Sequence, residues 1–111
     1  MARLIVSVGV AYESDTELVQ EALLSVAKQH PMVLRRPAPE VVFSQFGDST
    51  LDFELRVIVP TRDLFPKVKH ELNMAINAAF RDKEIEIAFP QREIRVKSDA
   101  APIGVSLPKA A

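Results

Sequence analysis

Two histidines, a few hydroxyls and acids at one turn, and one basic pair are the residues of this chain whose types could do chemistry. His30 and His70 stand forty residues apart, and neither has a second ligand three or four positions away. Metal sites need such spacing, so satisfied structural histidines are the simpler reading. Asp48, Ser49 and Thr50 group a hydroxyl with an acid, but no histidine or lysine lies near them in sequence to act as a base. Turn formation accounts for them. Asp52 and Glu54 fall on one face of an extended segment, about 7 Å apart. Acid–base work would require one of them desolvated in a cleft. Gly9, Gly47 and Gly104 are too scattered to cradle a phosphate, and Arg35-Arg36 reads as a solvated loop pair. No catalytic, cofactor-binding or metal site is expected, and the protein is not read as an enzyme.

Composition narrows the classes further. With 48% apolar and 26% charged residues, the chain is an ordinary globular sequence of one-domain length. Fourteen basic residues against fifteen acidic ones leave a net charge of −1, which gives no electrostatic basis for nucleic acid or an anionic membrane as partner. The absence of cysteine removes disulfides, thiolate ligands and thiol nucleophiles together. No run approaches the roughly 18–20 apolar residues needed to cross a bilayer, so the segment is expected to be soluble.

The elements that would position any site are legible from periodicity. From Leu51 to Val59 the chain alternates without a slip: Leu51, Phe53, Leu55, Val57 and Val59 point one way and Asp52, Glu54, Arg56 and Ile58 the other. Residues 41–46 form a second strand, and Gly47-Asp48-Ser49-Thr50 the turn between them. The register has two solutions. An even loop faces Val42, Ser44 and Phe46 toward the core, whereas a bulge faces Val41, Phe43 and Gln45 inward. The bulge is slightly preferred because it sets Phe43 beside Phe53. Residues 3–12 give a first strand whose second face, Ile5, Ser7, Gly9 and Ala11, is small or apolar, as in a strand flanked on both edges. Ser14 and Glu17 have capping-box spacing before a helix with a Leu18, Ala22, Leu23, Val26 and Ala27 stripe, ended by His30-Pro31. Thr61 and Asp63 compete to cap a second helix with Val68, Leu72, Ala75, Ile76, Ala79 and Phe80 on one side. A last strand is read over 92–97, after Pro90. The expected core is Val6, Val8, Leu23, Val26, Phe53, Leu55, Val57, Leu72, Ile76 and Phe80, with the aromatic residues mostly inward.

The order β-α-β-β-α-β gives an α+β, ferredoxin-like fold: a four-stranded antiparallel sheet ordered 4-1-3-2, with two helices on one face. Residues 1–97 form this domain and 98–111 a tail.

Several stretches resemble the C-terminal cytoplasmic domain of small-conductance mechanosensitive channels, the MscS family. They are Val8-Gly9-Val10-Ala11-Tyr12 with Ser14-Asp15-Thr16, His30-Pro31 with Val33-Leu34, and Pro37 to Val41. The hairpin FGDSTLDFELRVIV and the I-x-I-x-F-P-Q-R run from Ile85 to Arg92 complete the series. Ala88 stands where the family often has proline. The resemblance implies a non-enzymatic vestibule domain without a cofactor, part of a homoheptameric channel at the bacterial inner membrane that releases ions and small solutes on osmotic downshock. Its implied partners are other copies and the rest of the channel subunit, with no direct membrane contact by this segment. Phe89, Pro90, Ile103, Val105 and Leu107 are the candidate interface residues. Two other classes compete with this reading. A free-standing ferredoxin-like module would bind a small ligand at a subunit interface, but Tyr12-Glu13-Ser14-Asp15 offers no glycine loop for one. An acyl-phosphate hydrolase would want arginine where Glu13 and Asp15 repel phosphate.

Overall fold

The computed structural model describes residues 1–88. Its elements are β1 (Ala2–Val10), α1 (Thr16–Gln29), β2 (Glu40–Phe46), β3 (Leu51–Val59), a 3-10 turn (Arg62–Leu64) and α2 (Phe65–Asp82). The three strands form one antiparallel sheet in the order β1-β3-β2. The alternation in β3 becomes alternating burial: Leu51, Phe53, Leu55, Val57 and Val59 are buried, and the residues between them are half-buried. Both helices present their apolar stripes to that buried face. Val19, Ala22, Leu23, Val26 and Ala27 come from α1, and Val68, Leu72, Ile76 and Phe80 from α2. Of the expected core, only Val8 is incompletely covered.

The hairpin register is the bulged one. Phe43 pairs with Phe53, and the shift falls between Phe43 and Gln45. Their rings stack at 4.9 Å between centroids. The extra residue also reverses the facing of the next two positions, so Gln45 pairs with Asp52 on the open face and Phe46 with Leu51 on the helix side. Gln45 is therefore not an inward residue, as the bulged register had led one to expect.

Both helix starts differ from the sequence expectation. Asp15, not Ser14, caps α1: its Oδ1 accepts from the backbone N–H of Glu17 at 3.0 Å and Leu18 at 3.4 Å. Ser14 is already used to close a turn, its N–H donating to the Ala11 carbonyl, so the extended cap conformation falls one residue later. At α2 neither Thr61 nor Asp63 caps with its side chain. The 3-10 turn tightens the entry instead, and Pro66 sits in the first turn, where a missing N–H is harmless. The end of α2 is a Schellman closure. Glu84 N–H donates to the Arg81 carbonyl and Ile85 N–H to that of Phe80, with Glu84 in the left-handed region at φ 59° and Ile85 buried.

The described residues show three of the four expected strands; beside β1 lies one isolated bridge, Val10 opposite Ile87, flanked by Ala11 N–H to Glu86 O and Ala88 N–H to Gly9 O, both 3.0 Å. The strand expected at 92–97, the candidate residues Phe89, Pro90, Ile103, Val105 and Leu107, and the tail lie outside the described residues. Consequently β1 is flanked by β3 on one edge, while from Ala2 to Val8 its other edge has no partner among the described residues. The second face of β1 is also more open than expected, with Ile5 42% exposed.

Candidate functional site

The open sheet face and the hairpin end carry the polar groups that chemistry would need, and several are engaged within the chain, whereas Ser49 Oγ is buried without a hydrogen-bond partner among the described residues. Asp52 sits at the end of β3 with both carboxylate oxygens occupied: Thr50 Oγ1 donates to Oδ1 at 2.6 Å and Gln45 Nε2 to Oδ2 at 3.1 Å. Ser44 Oγ adds a bond to the Asp52 carbonyl at 3.1 Å. The bulge brings Gln45 opposite Asp52, so strand register and carboxylate binding have one cause. Glu54 is held by Arg56, whose Nε and guanidinium nitrogen both donate to Oε1, at 3.1 and 2.9 Å. Glu40 lies 3.8 Å from the same guanidinium. Asp52 and Glu54 thus take part in a polar brace across β2 and β3.

Gly47 makes the turn possible. A side chain there would put Cβ 2.4 Å from Thr50 Oγ1, and Gly47 N–H already donates to the Thr50 carbonyl at 2.7 Å. Tyr12, expected as the last inward residue of the first strand, lies beyond the end of β1 and is half exposed, with its hydroxyl donating to the Gly47 carbonyl at 2.6 Å. It ties the β1–α1 turn to the hairpin tip.

The histidines separate in role. His70 is exposed on α2, whereas the His30 side chain is only 8% accessible. Its Nδ1 accepts from Met32 N–H at 3.0 Å, which assigns the proton to Nε2, and Nε2 donates to Glu71 at 2.6 Å. His30 thus joins the end of α1, the following loop and α2. Sequence spacing could not have shown this, because the partner lies on another element. Among the described residues, no group of three or more His, Cys, Asp or Glu is placed to hold a metal.

Aromatic residues are distributed less inwardly than expected. Phe43 is 39% and Phe46 75% exposed, their rings 5.0 Å apart at the hairpin end of the edge strand β2. They occupy helix-side positions of the strand, but the helices do not cover that corner.

The described domain is α+β, with polar side chains bonded to one another across its sheet and an exposed aromatic pair on β2. The family described as "Mechanosensitive ion channel MscS, C-terminal" matches residues 4–87. An MscS family protein of Haemophilus influenzae is 44% identical over 99 residues, covering 89% of this chain and 9% of the relative. Mechanosensitive channel MscK of Escherichia coli is 43% identical over 97 residues, covering 87% and 9%. In structure, Helicobacter pylori MscS in its closed state superposes with a TM-score of 0.74 at 30% identity, over 88% of this chain and 39% of that one. The chain belongs to the C-terminal domain family of MscS-type mechanosensitive ion channels. It spans about a tenth of the length of the Haemophilus and Escherichia relatives. No helix among the described residues is long and apolar enough to cross a membrane.

Proposed function

We propose that this domain forms part of the wall of a cytoplasmic vestibule in a homo-oligomeric, tension-gated channel. In this reading it works by packing against copies of itself and against the rest of the channel subunit. The observation that carries the proposal is the family match over residues 4–87, nearly the whole of the described fold. The exposed Phe43–Phe46 pair on β2, which pairs only with β3 among the described residues, supplies a surface for copy-to-copy contact, and the sequence adds the apolar residues Ile103, Val105 and Leu107. The role is structural and electrostatic: side chains such as Asp52, Glu54 and Arg56 on the open sheet face would bias which ions pass. No enzymatic step belongs to it. A small-ligand regulatory module is the competing class, and neither the Haemophilus nor the Escherichia relative supports it.

A chimera tests the reading. Escherichia coli MscK carrying this chain in place of its matching segment should assemble and give suction-activated currents in membrane patches. A chimera that reaches the membrane and assembles, yet passes no current under suction, would sink the proposal.

A further inference from the structure

Charge along the first part of the chain is sorted into two blocks. From Leu4 to Ala27 the charged residues are Glu13, Asp15, Glu17 and Glu21, with no lysine or arginine. From Lys28 to Pro39 they are Lys28, Arg35 and Arg36, with no acid. All of these are exposed, and α1 holds the blocks apart, one at each end of about 21 Å of helix. An acidic start and a basic end suit the helix dipole, but that effect fades within the first and last turn. Glu21 and the two arginines lie outside its reach. The basic block is also shaped. Lys28 and Arg35 line an otherwise apolar crevice of about 280 Å³ with Val33, Leu34, Ala38 and Pro39. Leu34 N–H donates to the Ile58 carbonyl at 2.8 Å, which holds the loop near the start of β1, where Ile58 pairs with Arg3. Ala88 is bonded to Gly9, near the opposite end of β1. The crevice therefore lies away from the point where the described residues stop.

From these facts we infer that the crevice receives the acidic start of α1 from a second copy of this chain, so that copies join head to tail through the two ends of one helix. The inference rests on the proposed reading of the domain as one copy in an oligomeric channel, and it names surfaces through which neighbouring copies meet. Charge complementarity selects the occupant. The other acidic run of the described residues, Glu40 to Glu54, is engaged already: Glu40 and Glu54 lie against Arg56, and Asp52 is bonded by Thr50 and Gln45. The stretch from Glu13 to Glu21 keeps its acids exposed. Two different patches on one chain make a heterologous contact, the kind that repeats around a ring. Exposed ion pairs add little affinity, so this contact sets direction and register while the rest of the channel subunit holds the copies together.

The full chain, carried in the MscK chimera, tests it by cross-linking. With the chimera's other cysteines replaced, Glu17→Cys and Arg35→Cys in one chain should be joined between copies by a bismaleimide shorter than α1, giving products larger than a dimer. Either cysteine alone should give no such products. Lys28→Glu with Arg36→Glu should lower the yield at least about tenfold, and adding Glu13→Lys with Glu21→Lys should restore it. Products that stop at the dimer would overturn the inference, because an antiparallel pair of helices closes on itself. So would a yield unmoved by the charge reversals, or a chimera that carries suction-activated current without cross-links. Larger products from a chimera that passes no current would support the contact while sinking the channel reading, and copies that fail to associate at all would overturn both.

Discussion

At the scale of single residues, the polar side chains of this domain act as braces whose loss should be measurable as stability. His30 is the clearest case, because its ring satisfies a backbone N–H on one side and a carboxylate on the other while almost fully buried. Replacing it with alanine strands both partners, and the cost should be about 1–3 kcal/mol in urea unfolding. His70→Ala on the exposed face of α2 should change the same midpoint by less than about 0.5 kcal/mol. Equal effects from the two would show that His30 is no brace. Glu84 offers a change of opposite sign. A non-glycine residue at φ 59° is held by the Schellman bonds against its own preference. Glu84→Gly should therefore raise stability by up to about 1 kcal/mol, and a loss of stability would show that the glutamate side chain has a compensating role.

Elements are decided by which side chain reaches which backbone group. Two acceptors stand before α1, and the turn closed by Ser14 N–H hands the cap to Asp15. The carboxylate also sits favourably at the positive end of the helix. Asp15→Ala should lower stability by about 0.5–2 kcal/mol while Ser14→Ala stays within about 0.5 kcal/mol. The reverse ranking in thermal melts would restore Ser14 as the cap. In the core, Leu55 on β3 and Leu72 on α2 have no exposed surface. Leu→Ala at either should cost about 2–5 kcal/mol, with the spread set by how far the site can collapse around the missing methyls.

The whole molecule poses a question of assembly. Among the described residues its exposed large apolar side chains are Met1, Ile5, Tyr12, Phe43, Phe46 and Met74, of which Phe43 and Phe46 bring their rings together. Two partly exposed rings provide little against an association cost of about 4–15 kcal/mol. In a complete channel the other domains would hold copies in register and supply the difference. The isolated chain should therefore be a monomer or a weak oligomer across a hundredfold concentration range in sedimentation velocity. Deleting residues 98–111 should leave its folding intact and remove residual self-association. A heptamer that persists at the lowest concentration, with or without those residues, would mean that this domain drives ring formation by itself.

What the sequence by itself determined is what repeats along the chain. The period-two rows of β1 and β3, the helical stripes and the turn at Gly47 follow from local side-chain order. Even the bulge was legible, since only the extra residue sets two phenylalanines opposite each other. The family, too, was readable in short runs such as the hairpin and the residues from Ile85. Tertiary structure decided the rest, because those outcomes depend on groups far apart in sequence. His30 needed Glu71 beside it, Tyr12 needed the Gly47 carbonyl, and Asp52 needed the bulge to bring Gln45 across. The exposure of Phe43 and Phe46 was hidden for the same reason: parity places a side chain on the helix side of a strand, but only the reach of the helices determines whether anything covers it.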